Sequence, residues 1–128
     1  MSDSDLPALR GVVVCHGELA PALIRAAEQI SGVAGALVPV SNSGGDRGTL
    51  EERLSAAVDG GPAVVFVDMA SGSCLFAALH RLRALPSVRV VTGVNLAMLV
   101  DFVFHRSASA AGAAERAVVK GGEAIKAP

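Results

Sequence analysis

Four short apolar runs constrain the fold of this chain more than any other feature. They are Val12–Val14, Ala36–Val40, Ala63–Val67 and Val88–Thr92. Each ends in a loop containing polar or glycine residues, and each loop leads into a stretch with helical spacing. Uninterrupted β-branched runs of this length suit strands covered on both faces. Strand alternating with helix predicts parallel strands joined by right-handed crossovers, an α/β three-layer open sandwich with helices on both faces.

The helical stretches follow from spacing and punctuation. The first is expected over Leu19–Ile30, with Leu19, Leu23, Ala26, Ala27 and Ile30 as its apolar stripe and Gly32 as its stop. Thr49 and Glu52 have capping-box spacing and should open the second helix, with Leu50, Leu54, Ala57 and Val58 inward. A third is expected over Cys74–Ala84, with Leu75, Leu79 and Leu82 inward. Leu96–His105, apolar nearly all round, predicts a well-buried fourth helix, and Ala108–Lys120 a fifth. Gly121-Gly122 should break that helix and leave Glu123–Ala127 free as a short edge strand. Residues 1–10 read as a loose leader and residues 11–128 as a single domain.

Composition narrows the function. The chain has 128 residues, 52% of them hydrophobic, which is ample for one core. A net charge of −1 gives no electrostatic capture of nucleic acid, and four Phe with no Trp or Tyr make no base-stacking surface. The apolar runs are too short to span a bilayer, and the polar, acidic start is not read as a secretory signal. A cytoplasmic location is the expectation. The glycine-rich loop Ser41–Gly48 has no P-loop Lys-Ser/Thr, so no nucleotide cofactor is expected.

His16 has the position that matters. It lies just beyond a strand, where open α/β sheets place ligands and chemistry. Asp68 ends another strand in the same way. A carboxylate that fixes an imidazole tautomer leaves the other ring nitrogen free as a nucleophile, suited to accept a phosphoryl group. Ser71, Gly72 and Ser73 open the next helix, where backbone N–H groups favour an anion and the Ser73 hydroxyl adds a donor; Ser71 reads more simply as an N-cap. Cys15 and Cys74 fall near the same crevice and, with His16 and Asp68, form a zinc-like donor set. Adjacent strand residues point to opposite sides, however, so no metal is expected. His80 and His105 read as surface histidines.

Four stretches together resemble the IIA component of the mannose-family phosphoenolpyruvate-dependent sugar phosphotransferase system. They are Val-Val-Val-Cys-His-Gly at 12–17, Val67-Asp68 with Ser71-Gly72-Ser73, Phe76-Ala77-Ala78, and Val91–Leu99 with its Gly93-Val94-Asn95. The resemblance implies a phosphocarrier. His16 would take a phosphoryl group from HPr and pass it to a IIB component, Asp68 would orient the ring, and Ser73 would sit near the phosphoryl group. It also implies a homodimer and a sheet of order 2-1-3-4-5, its last strand antiparallel at the C-terminus. Ser71, Cys74 and Ala97 stand where the family usually has glycine, proline and proline. These departures spare the expected chemical groups and alter the partner-facing rim, which leaves a regulatory phosphorelay open beside sugar transport. The alternatives are the phosphocarrier subunit of dihydroxyacetone kinase, a non-catalytic binding module, and a metal-dependent hydrolase.

Overall fold

Pro39 already says where its strand must lie. A proline donates no ladder hydrogen bond and is tolerated at a sheet edge. In the computed structural model, which describes residues 8–128, its strand is the outer member of a parallel four-stranded sheet. The strands are β1 (Arg10–Cys15), β2 (Leu37–Ser41), β3 (Ala63–Val67) and β4 (Val88–Thr92), in the order β2-β1-β3-β4. The inner strand β3 is buried at every residue and β1 at all but its first, whereas β2 and β4 are buried only at their first and fourth residues. The uninterrupted valine runs are therefore those with helices above and below.

Five helices cover the two faces: α1 (Leu19–Ser31), α2 (Arg47–Val58), α3 (Ser73–Leu82), α4 (Leu96–Phe102) and α5 (Ala110–Glu123). Val13, Cys15, Val64, Phe66 and Val91 pack against α1, α4 and α5. Val12, Val14, Val65 and Val67 face α2 and α3 on the other side. Phe66 meets Phe102 edge to face with ring centroids 5.0 Å apart, which ties β3 to α4. Gly11 is a tight crossing point: a β-carbon there would lie 2.6 Å from Leu37 and 2.7 Å from Phe102. Among the described residues, no helix is long and apolar enough to cross a membrane.

The expected fifth strand is absent from the described residues, and the sheet has four strands. Gly121 does not break α5. It lies inside the helix because its missing side chain makes room for α4: a β-carbon would sit 2.5 Å from the Met98 methyl. Its carbonyl accepts a 3.0 Å hydrogen bond from Asn95, whose own oxygen caps α4. Gly121 thus serves close helix packing, Gly122 faces open space, and residues 124–128 continue without a strand.

Other local expectations shift in phase. In α1 the buried residues are Ala20, Ile24 and Ala27; Leu19 and Ile30 are exposed. Alanines let the helix lie close to the sheet, and its entry angle after Gly17 rotates the expected stripe sideways. Asp46, not Thr49, caps α2, accepting from the Thr49 backbone N–H at 2.9 Å. In α3 the buried face is Cys74, Ala77, Ala78 and Leu82, while Leu79 is exposed. Helix α4 stops at Phe102, three residues before His105. Residues 1–7, most of the expected leader, lie outside the described residues. Leu9 is fully buried, and Arg10 already belongs to β1.

Candidate functional site

β1 and β3 are neighbours in register, Val14 beside Val67, so the residues after them leave the sheet side by side. His16 and Asp68 meet there. The backbone N–H of His16 donates to Asp68 Oδ2 at 2.9 Å, and the ring Nδ1 lies 2.8 Å from the same oxygen. Burial, the largest single influence on this carboxyl, would raise its pKa. The hydrogen bonds from the His16 backbone and ring, the attraction of that ring and the Met69 N–H together hold it below the ordinary 3.8. Asp68 is therefore ionised near neutral pH and can only accept. Nδ1 must then carry the ring proton, and Nε2 is left with its lone pair. The His16 side chain is 43% exposed, while that of Asp68 is 9% exposed. A buried anchor thus holds an accessible ring.

The other edge of the loop is fixed from β2. Asn42 Oδ1 accepts from the Gly17 N–H at 3.1 Å, and Ser41 Oγ donates to the Gly17 carbonyl at 2.7 Å. Arg53 of α2 reaches back to the carbonyls of Ser41 and Ser43, at 2.8 and 2.7 Å. Asn42, Ser41 and Arg53 were not singled out in the sequence. The available signal was Asn42 in the loop after β2, facing the loop after β1.

Gly72 completes the mouth of the site. Its φ of 96° belongs to the region that glycine favours, and a β-carbon there would sit 3.7 Å from His16 Nε2. The backbone at the start of α3 therefore passes directly beside the free nitrogen. Gly72, not Ser71, is the N-cap of α3, and no side chain caps the helix. The first-turn N–H groups of Ser73, Cys74 and Leu75 need a partner from outside the helix. Ser73 Oγ lies 3.4 Å from Asn42 Nδ2. Ser71 is exposed in the preceding loop. A cleft of ≈ 280 Å³ opens beside these groups, lined by Asn42, Gly45, Asp46, Arg47, Leu50, Ser73 and Phe76.

The remaining candidates separate cleanly. Cys15 belongs to the core on the α1, α4 and α5 side and Cys74 to the opposite core, so the four zinc-like donors do not converge. Cys74 stays with the site, its Sγ 3.9 Å from His16 Nδ1. Burial, helped by the charge of Asp68, pushes its thiol up to about 11; burial pushes Cys15 up to about 12. His80 is exposed beside Glu51, and His105 is exposed beside Asp101.

The arrangement can present a neutral imidazole nitrogen to a partner and bind an anionic group next to it. The chain matches the family described as "PTS system fructose IIA component" over residues 11–119. No curated protein matches it. Solved structures that share the fold include three phosphotransferase-system proteins. The mannose/sorbose-specific IIA subunit of the phosphotransferase system from Enterococcus faecalis is 23% identical, with a TM-score of 0.82 over 95% of this chain and 96% of that one. The phosphotransferase system component EIIA from Streptococcus agalactiae is 18% identical, with a TM-score of 0.85 over 93% and 96%. The PTS IIA protein associated with the fucose utilization operon of Streptococcus pneumoniae is 22% identical, with a TM-score of 0.78 over 95% and 96%. With the family matched across most of its length, this chain belongs to the fructose/mannose-type IIA components of the sugar phosphotransferase system.

Proposed function

We propose that the protein is a histidine phosphocarrier in which His16 Nε2 accepts a phosphoryl group from HPr and passes it to a IIB component. The observation that carries this reading is the single oxygen of Asp68, Oδ2, that receives both the backbone and the ring N–H of His16. In the transfer, the nitrogen–phosphorus bond of the donor phosphohistidine breaks as a bond to Nε2 forms, and the donor imidazole leaves. Positive charge grows on the His16 ring, and the ionised Asp68 stabilises it through Nδ1–H. The phosphoryl oxygens take bonds from the first-turn N–H groups of α3 and from Ser73, with Gly72 giving the backbone its close approach. Asn42 holds Ser73 and the Gly17 backbone in one frame.

No prosthetic group enters this chemistry. The structural relatives include a mannose/sorbose-specific subunit and a fucose-operon protein. The same carrier step serves transport of a sugar or a regulatory relay, because the IIA step never touches a sugar. A cytoplasmic location and a homodimer belong to the same reading. Incubation with phosphoenolpyruvate, enzyme I and HPr tests it. One phosphate per chain is expected, retained in His80→Ala and His105→Ala and lost in His16→Ala. Phosphate uptake by the His16→Ala protein would refute the assignment, and no uptake by the parent would favour a binding module.

A further inference from the structure

The family's chemistry uses His16 and Asp68 and leaves Cys74 without a task. Cys74 is the second residue of α3 and fully buried, yet its sulfur faces the catalytic ring. A ring nitrogen of His16, an oxygen of Asp68 and Cys74 Sγ all lie within 4.8 Å of one another. Nδ1 is 2.8 Å from Asp68 Oδ2 and 3.9 Å from Cys74 Sγ. Ligands around a tetrahedral zinc ion, bound at about 2.0–2.3 Å, stand about 3.3–3.6 Å apart. The three atoms bracket that spacing and come from three rigid elements, the ends of β1 and β3 and the first turn of α3. A second observation points the same way. Asp68 Oδ1 is buried and has no hydrogen-bond partner among the described residues. The carboxylate therefore holds lone pairs that no protein donor uses.

We propose that His16 Nδ1, Asp68 and Cys74 Sγ form a site for a thiophilic divalent cation such as Zn²⁺, and that its occupation silences the phosphocarrier nitrogen. The donor set of one thiolate, one imidazole and one carboxylate suits zinc and excludes Mg²⁺ and Ca²⁺, which take oxygen ligands. The fourth position opens towards solvent on the His16 side, where the ring is exposed. On binding, the thiol and Nδ1 each release a proton to solvent as the metal takes their place, and Nε2 takes one proton up. The ring is then a neutral imidazole whose single proton resides on Nε2. Nε2 has then no lone pair to attack phosphorus. In the opposite direction, transfer to Nε2 leaves an imidazolium whose Nδ1–H is held by the ionised Asp68, and a cation has to displace that proton to bind. Metal and phosphoryl therefore oppose each other, although they bind different nitrogens.

The site itself stands on geometry, and only its effect on phosphoryl uptake rests on the function proposed above. Co²⁺ added to the protein gives a readout independent of activity. The expected result is one Co²⁺ per chain with a thiolate-to-cobalt charge-transfer absorption, displaced by Zn²⁺. Cys74→Ser and His16→Gln should each weaken binding by roughly tenfold or more, with circular dichroism unchanged. In Cys74→Ser the absorption should also disappear. Absence of the band in the parent, or its survival in Cys74→Ser, overturns the site. Protein loaded with Zn²⁺ and freed of excess ion should refuse phosphate from HPr, while Cys74→Ser treated in the same way should accept it. A loaded parent that still takes phosphate overturns the silencing. Co²⁺ binding by a protein that takes no phosphate even without metal refutes the phosphocarrier reading and leaves the site standing.

Discussion

Replacing Asp68 by Asn changes one atom in the site and tests the role of the carboxylate directly. Two donors of His16 converge on Oδ2, while Oδ1 is buried without a partner. Asn has two orientations. With its oxygen towards His16 both bonds survive, and the amide NH2 takes the buried place of Oδ1, where it needs acceptors of its own. Burying unsatisfied donors costs about 1–3 kcal/mol of stability. With its nitrogen towards His16 two N–H groups confront an amide, the bonds fail, and the ring is free to hold its proton on Nε2. Either way the charge opposite the ring is gone. Removing the equivalent charge in hydrolytic triads costs about 10⁴ in rate. Phosphohistidine is already a reactive donor, so the loss here should be smaller, roughly ten- to a thousandfold, or about 1.4–4 kcal/mol in barrier height. The assay is rapid-quench transfer from phosphorylated HPr, with circular dichroism and urea unfolding as folding controls. A folded Asp68→Asn protein that accepts phosphate at the parent rate would show that Asp68 only anchors the loop backbone.

Three further outcomes follow from the packing. Gly72→Ala places a side chain at φ 96° and beside Nε2; it should cost about 1–3 kcal/mol in urea unfolding and slow phosphate uptake as well. Gly121→Val drives a branched side chain against Met98 and should destabilise by about 1–3 kcal/mol, read by the same unfolding measurement, whereas a true helix breaker at that position would gain from the change. Asp68 and Asp101, the latter held low chiefly by hydrogen bonding to Arg116, both titrate below their ordinary 3.8 when folded. Their contribution is present above the unfolded value and lost as pH falls through the folded ones, so unfolding stability should decline below about pH 4, less steeply in Asp68→Asn.

The strands were readable because β-branched runs buried on both faces have no other stable home, and β3 and β4 have the bounds their apolar runs predict. His16 and Asp68 were readable for a related reason: parallel neighbours deliver the residues after them to one crevice. The C-terminal end was not. A Gly-Gly pair usually ends a helix, but Gly121 is fixed by a tertiary contact with Met98 and Asn95 that no local pattern contains. The stripe of α1 misled in the same way, since alanines at 20 and 27 became the sheet-facing residues through close approach. The capping box at Thr49 was one turn out of phase because Asp46 offers a better acceptor three residues earlier. Asn42 was invisible because its partners, Gly17 and Ser73, are distant in sequence. Cys15 and Cys74 fall on opposite faces, as strand alternation and helix position require, and that separation turns an apparent four-donor set into three.

The account turns on which nitrogen of His16 is free. Nitrogen-15 and phosphorus-31 NMR of the protein, labelled at histidine and phosphorylated through HPr, identifies the nitrogen that carries phosphorus. The hydrogen bond from Nδ1 to Asp68 predicts a phosphorus bond at Nε2 of His16 with the proton retained on Nδ1. Phosphorus on Nδ1, or on His80 or His105, would contradict it.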